Sequence, residues 1–324
     1  MNIGIRLHDT APGSLKERLA YAKAQGFSCA HVAISKIRDD FDMKDAPEKL
    51  NAEYAEQFRR DFEEAGMECA VLGCYLNLAD PDSERRARTQ EIYKAHLRFA
   101  AMTGARVVGT ETYANPASVF AEPAPQSEEA FRLFLDSLRP VVRFAAMTGA
   151  QVVGTETYAN PESVFAEPAP QSEEAFRLFM DSLRPVVRFA EESGAVLAVE
   201  PVWYHIISTP ERAARMLEEL SSDHLQIILD AVNLISPETA GRADDVVRNA
   251  ISLLGDRVRI LHMKDFILQP DGKMNACACG LGSMQYGRLL SFAAEKNLPM
   301  TMENTVPENA EEARLFLERT AGKL

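Results

Sequence analysis

Short apolar runs alternate with longer segments of helical period along the chain, which predicts a repeated βα pattern and a parallel sheet. Runs such as ECAVLG, AVLAVE, LQIILD and RVRILHM place strands near residues 2–7, 29–34, 68–75, 106–111, 151–156, 195–200, 225–230, 258–263 and 299–303, each followed by a helix. Helix starts are marked as well. Ser14-x-x-Glu17 and Ser208-x-x-Glu211 fit capping boxes, and Asn309 leads into Glu311 and Glu312. Gly26, Gly66, Gly104, Gly149 and Gly194 each follow a helical stretch, where a left-handed C-terminal cap is common. No Pro/Ser-rich linker interrupts the pattern, so residues 1–324 are expected to form a single α/β domain, a TIM-type parallel (βα) barrel.

A tandem repeat complicates the count. Residues 98–142 recur at 143–187 with three differences over 45 positions: Arg106/Gln151, Ala117/Glu162 and Leu135/Met180. Two near-identical copies in an otherwise non-repetitive chain point to a duplication, natural or engineered, rather than to a solenoid. Removing one copy leaves 279 residues and eight βα units, which suits an eight-stranded barrel of about 250 residues with ordinary loops. The full chain therefore carries eight ancestral units plus one duplicated unit. A ninth strand would widen the barrel, whereas an extruded copy would leave an exposed edge or pair with a second chain. An extra unit held within the barrel is the favoured expectation, and loss of the fold on deleting 98–142 would support it. Of the duplicated strand ends Glu111 and Glu156, at most one is expected to face the site.

Composition narrows the function. With 46% hydrophobic residues the chain can bury one large core, and no run of about 18 apolar residues suggests a membrane span. The start MNIGIRLHDT reads as a strand rather than a secretory signal. Five cysteines, Cys29, Cys69, Cys74, Cys277 and Cys279, suit reduced thiols and a cytoplasmic location. A net charge of −13 argues against a nucleic-acid partner. A homo-oligomer stays open.

Candidate chemistry lies at the strand ends, where a closed parallel barrel carries its catalytic groups. The last four strands of the barrel pattern finish in Glu200, Asp230, His262 and Glu303. One strand-end acid is commonly a cap or ion pair; four metal-capable groups in consecutive units are hard to explain that way. Three converging carboxylates also repel unless a cation neutralises them. Oxygen donors with one imidazole suit a single divalent ion: Mn²⁺ first, with Mg²⁺, Co²⁺ or Zn²⁺ as alternatives.

These segments resemble the xylose-isomerase-like TIM-barrel superfamily, often labelled sugar phosphate isomerase/epimerase. The resemblance rests on GIRLHD, the glutamate of VEPV, the aspartate of LDAVN, the His-x-Lys-Asp of HMKD and the glutamate of MEN. It covers the chain once one repeat copy is set aside. It implies that Glu200, Asp230, His262 and Glu303 hold the metal, with Glu200 and Glu303 as a proton-transfer pair. Asn233 stands where ketose 3-epimerases tend to carry a histidine, and the arginine they place after the metal-binding histidine is missing from HMKDFILQP. Those departures speak against that one activity and leave the metal positions untouched. The family label is no evidence for a phosphorylated substrate.

The expected chemistry is proton transfer next to a carbonyl, through an enediolate stabilised by the divalent ion, on a small sugar, polyol or hydroxy-carbonyl compound. The expected activity is thus that of an isomerase or epimerase. The alternatives are an inosose-dehydratase-like lyase and a barrel made inactive by the duplication. His205, Lys264, His8 and Trp203 are candidate substrate contacts, each with a structural role as the alternative, and Tyr204 shares the second apolar-wall reading of Trp203. A multi-metal endonuclease fits poorly with only six histidines. Cys277-x-Cys279 reads as ordinary loop thiols, and Gly280-x-Gly282 is too short a signal for an anion site.

Overall fold

A computed structural model describes residues 2–74, 76, 83–105, 107–109, 136, 138–142, 152–156, 173–193 and 196–323. Its strands are β1 (Ile3–Arg6), β2 (Cys29–Val32), β3 (Glu68–Gly73), β4 (Val107–Gly109), β5 (Val152–Glu156), β6 (Leu197–Glu200), β7 (Leu225–Asp230), β8 (Val258–Met263), β9 (Asp265–Leu268), β10 (Met274–Cys277) and β11 (Met300–Met302). All but β9 and β10 are parallel and close into a barrel in the order β1-β11-β8-β7-β6-β5-β4-β3-β2. Strands β4 and β5, one from each repeat copy, pair through equivalent residues, Val107 with Val152 and Gly109 with Gly154. Glu156 stands level with Glu200 in the β5/β6 register, and Glu111 lies outside the described residues.

Period-two alternation sorts the strand side chains into two cores. Leu197 and Val199, Leu225, Ile227 and Leu229, and Leu261 and Met263 join the large core that includes Leu217, Leu254 and Leu317 from the helices. The alternate positions Cys29, Val71, Ala198, Ile228 and Ile260, joined by Ala70 where the β2/β3 register shifts, form a small separate cluster, which we assign to the barrel interior. Gly4 belongs with it: a Cβ there would come within 2.5 Å of Cys29 Sγ and 2.8 Å of its carbonyl oxygen.

Local sequence explains most helix ends. Ser14 and Glu17 form the expected capping box on helix Leu15–Ala24. The cap of helix Pro210–Leu220 is Thr209 rather than Ser208: its hydroxyl accepts from Arg212 N, at 3.2 Å. The residue before a proline is driven to extended backbone, which is the N-cap conformation, so Pro210 fixes the cap one residue later than the spacing suggested. Asn309 turns its side chain backwards, where Oδ1 accepts Val306 N at 2.9 Å, and makes no cap. Gly26, Gly66 and Gly104 take the expected positive φ, while Gly149 and Gly194 lie outside the described residues. Among the described residues, no helix is long and apolar enough to cross a membrane.

The antiparallel hairpin β9–β10 was not anticipated. It is pinned by Asp265, buried to 1% exposure, whose carboxylate accepts the backbone N–H groups of Phe266, Gly280 and Met284 at 2.8, 3.0 and 2.8 Å. The glycine-rich segment does cradle an anion, but that anion is the chain's own Asp265. Gly282 packs so closely that a Cβ would lie 2.2 Å from Phe266 O. Among the described residues all five cysteines are free thiols, and Cys279 is buried.

Candidate active site

The barrel interior and the candidate site are successive layers of the same strand faces. Two residues beyond Ala198, Ile228 and Ile260 come Glu200, Asp230 and His262, so the period of the strand returns each side chain to the inner face one step nearer the C-terminal rim. The same step leads from Gly4 to Arg6, from Cys29 to His31 and from Thr301 to Glu303. Register then sets the neighbours. Asp230 lies beside His262 in the β7/β8 pairing, and Met302 lies beside Met263, which brings Glu303 next to Lys264.

One ligand atom from each of Glu200, Asp230 and His262 lies within 4.8 Å of the others. His262 Nδ1 is 3.5 Å from Glu200 Oε2 and 3.4 Å from Glu303 Oε1. Lys264 Nζ sits 2.8 Å from Asp230 Oδ2 and 3.4 Å from Glu303 Oε2, and Arg6 reaches Glu303 Oε2 at 3.9 Å. Asp230 Oδ1 accepts the backbone N–H groups of Val232 and Asn233, at 3.0 and 3.2 Å. Its Oδ2, although close to the ammonium, has no hydrogen bond of acceptable angle. The Asn233 amide donates to Glu200 Oε1 at 2.8 Å, and Tyr286 hydroxyl donates to the Lys264 carbonyl at 2.9 Å.

These contacts set the charge states. Burial raises the Asp230 carboxyl to about 6, helped by Glu200 and Glu303 and opposed by Lys264. Burial works against charge on His262, but Glu200 and Glu303 overcome it and raise the imidazole to about 9. Burial likewise opposes the Lys264 ammonium, and Asp230 and Glu303 hold it above its ordinary value. For Glu303, burial is outweighed by His262, Lys264 and Arg6, which keep it well below the usual carboxylate range. Three carboxylates thus share a buried space with Lys264, Arg6 and a readily protonated His262. Oxygen and imidazole donors at these separations fit a small divalent cation.

Expected substrate contacts divide into two groups. Lys264 is at the carboxylates. His8 lies in the turn after β1, its Nε2 3.7 Å from Asp9 Oδ1 and its ring edge-on to His31 at 6.2 Å. Burial, then the charge of Arg6, lowers His8 to about 3, so it is neutral. Trp203 and His205 belong to the loop after β6. Trp203 packs edge-on against Tyr204 at 5.2 Å, and its backbone N–H donates to the Asn233 carbonyl at 2.7 Å. His205 is 1% exposed, lies edge-on to Tyr204, and is lowered to about 3 by burial. Its ring Nδ1 is buried and has no hydrogen-bond partner among the described residues. Sequence reasoning missed His31, Asp9 and Thr305 as neighbours of the site. Arg6 donates to Asp9 Oδ2 at 2.9 Å, and the Thr305 hydroxyl approaches the same oxygen at 3.4 Å.

A family model for the xylose isomerase-like TIM barrel matches residues 19–167 and again residues 150–320. The 3-keto-D-glucoside 4-epimerase from E. coli, in its apo form, is 17% identical over 98% of this chain and 99% of that one, with a TM-score of 0.59. A xylose isomerase-like TIM barrel protein from Mycobacterium smegmatis in complex with magnesium is 14% identical over 99% and 97% of the two chains, with a TM-score of 0.57. D-psicose 3-epimerase with D-tagatose, from Clostridium cellulolyticum H10, is 14% identical over 100% and 96%, with a TM-score of 0.54. At such identities the likeness is one of fold. No curated protein matches the sequence.

Proposed function

Because the chain belongs to the xylose isomerase-like TIM-barrel family, we propose that it is a divalent-metal-dependent isomerase or epimerase of a small sugar, polyol or related hydroxy-carbonyl compound. The observation that carries this reading is the meeting of Glu200, Asp230 and His262, with one ligand atom of each within 4.8 Å of the others. Glu303, beside His262, completes the proposed ligand set, and Mn²⁺ is the proposed ion. Structural neighbours that are epimerases of keto-sugars support the substrate class.

A bound divalent ion would act as a Lewis acid, stabilising negative charge on the carbonyl oxygen as the neighbouring proton leaves. The chain's own groups do the rest. Glu303, a carboxylate flanked by Lys264 and Arg6, would take the proton. Glu200, oriented by the Asn233 amide and carrying a proton drawn from solvent water, would deliver it to the opposite face or to the adjacent carbon. The first outcome is epimerisation and the second is isomerisation. Neutral His8 offers a hydrogen bond to a sugar hydroxyl. A second reading, loss of a β-hydroxyl as in a dehydratase, is favoured by Lys264, a buried ammonium able to protonate a leaving hydroxide.

We further propose that residues 1–324 form one domain in which the duplicated unit is part of the barrel. The β4/β5 pairing supports this. Hydrogen exchange tests it: the paired amides of β4 and β5 should both be protected like those of β7, and rapid exchange throughout either strand contradicts the proposal.

The activity is tested by loading the protein with Mn²⁺ and screening ketoses and inososes in D₂O. Deuterium incorporation that disappears in Glu200→Gln and Glu303→Gln is expected, and the product separates epimerase, isomerase and dehydratase. No exchange across the panel with metal bound overturns the reading.

A further inference from the structure

We propose that Lys264 is a built-in counter-cation that occupies the metal's place among the carboxylates and must leave Asp230 when the divalent ion binds. The proposal rests on the metal reading above and extends it to a residue that reading does not make a ligand.

Three features lead to it. Lys264 Nζ is 2.8 Å from Asp230 Oδ2 and 3.4 Å from Glu303 Oε2, so it bridges two of the four groups assigned to the ion. Only 10% of its side chain is exposed, so the ammonium is shielded from water and the attraction is little screened. It also takes Oδ2, the one Asp230 oxygen that backbone N–H groups do not hold, since Oδ1 is kept by Val232 and Asn233. The oxygen best placed to ligate a cation is therefore the one the ammonium covers.

Three carboxylates crowded in a buried pocket repel one another strongly without a positive partner. Lys264 relieves that repulsion when no divalent ion is bound, which keeps the barrel mouth assembled. Its backbone is fixed, because Tyr286 hydroxyl donates to its carbonyl, while its four-carbon stem leaves the head free to swing. A divalent ion, with twice the charge, would compete with the ammonium for Asp230. The displaced ammonium would stay within reach of Glu303, already 3.4 Å away, where it could donate to a substrate oxygen. Metal occupancy and the substrate-binding station of Lys264 are thereby linked.

The test compares Mn²⁺ binding by calorimetry for the full-length wild-type protein, Lys264→Met and Lys264→Arg, each first stripped with chelator. Removing the competing charge should tighten Mn²⁺ binding by roughly tenfold or more in Lys264→Met, and Lys264→Arg should stay near wild type. Thermal melting gives the second readout. Lys264→Met should melt well below wild type in chelator, and the gap should shrink in saturating Mn²⁺. Lys264→Gln serves the same comparison if the Met variant does not fold. Equal or weaker Mn²⁺ affinity in the neutral variants overturns the inference alone. Absence of binding to every protein overturns both the inference and the metal reading.

Discussion

Asp265→Asn isolates the contribution of one buried carboxylate to the architecture around the site. Asp265 Oδ1 accepts the Phe266 and Met284 N–H groups, and Oδ2 accepts that of Gly280. An asparagine oxygen can keep the first two bonds in weaker, neutral form, but its amide then faces the Gly280 N–H, donor against donor. Hydrogen bonds to charged groups contribute about 1.5–3 kcal/mol each, against about 1 for neutral ones. Losing one and weakening two should cost about 2–4 kcal/mol, moderated because exposed Gly280 can turn its N–H to water. The loss should be local, since the hairpin projects from the barrel as a separate two-stranded sheet. Hydrogen exchange at the Phe266 and Met284 amides should accelerate by roughly thirtyfold or more, while amides of β7 exchange as before. Because Tyr286 holds the Lys264 carbonyl just across from this loop, Mn²⁺ affinity should also change. Unaltered exchange at both amides would refute the argument that Asp265 is the anion that fills this backbone cradle.

Gly282→Ala should destabilise the same loop, because the new methyl would meet Phe266 O at 2.2 Å and Asp265 Oδ1 at 2.5 Å; exchange at Met284 is the readout, and a neutral effect contradicts the close packing. His205 has a folded-state value of about 3, below its unfolded value, so the unfolded chain binds more protons between about pH 6.5 and 3 and acid destabilises the fold. Its contribution is intact above about pH 6.5 and falls by about 1.4 kcal/mol per pH unit below it. In urea titrations at pH 7 and pH 5, His205→Phe should lose less stability on acidification than wild type; equal losses would mean that His205 does not stay neutral in the fold. Asn233→Ala frees Glu200 Oε1 and should lower turnover by about tenfold with little change in melting temperature, as expected when a charge-assisted bond to an acid–base group is lost. Unchanged turnover would show that Glu200 is held by other means.

The strands and the order of the site were legible in the sequence because period-two runs ending in Glu200, Asp230 and His262 carry both signals at once. Applied one step further, the same rule reaches His31, two residues beyond the inward-facing Cys29; it passed unnoticed because His31 lies inside its strand rather than at the strand's last position. The hairpin after β8 was legible too, through Gln269-Pro270-Asp271-Gly272, a turn signal between two short runs, with Gly272 at φ +82. It was overlooked because a barrel pattern leads one to expect a helix after each strand. The ion pair of Lys264 with Asp230 was beyond reach: residues 34 positions apart meet only once the β7/β8 register is known. The cap at Thr209 shows the opposite failure, where a neighbouring proline overrides a spacing rule.

The proposed ligands of the divalent ion are Glu200, Asp230, His262 and Glu303. The most direct measurement is an anomalous difference map at the manganese edge from crystals soaked in Mn²⁺. A single strong peak bounded by these four side chains is expected, with Lys264 Nζ drawn away from Asp230 Oδ2. A map with no peak there, and Lys264 still paired with Asp230, would contradict this assignment.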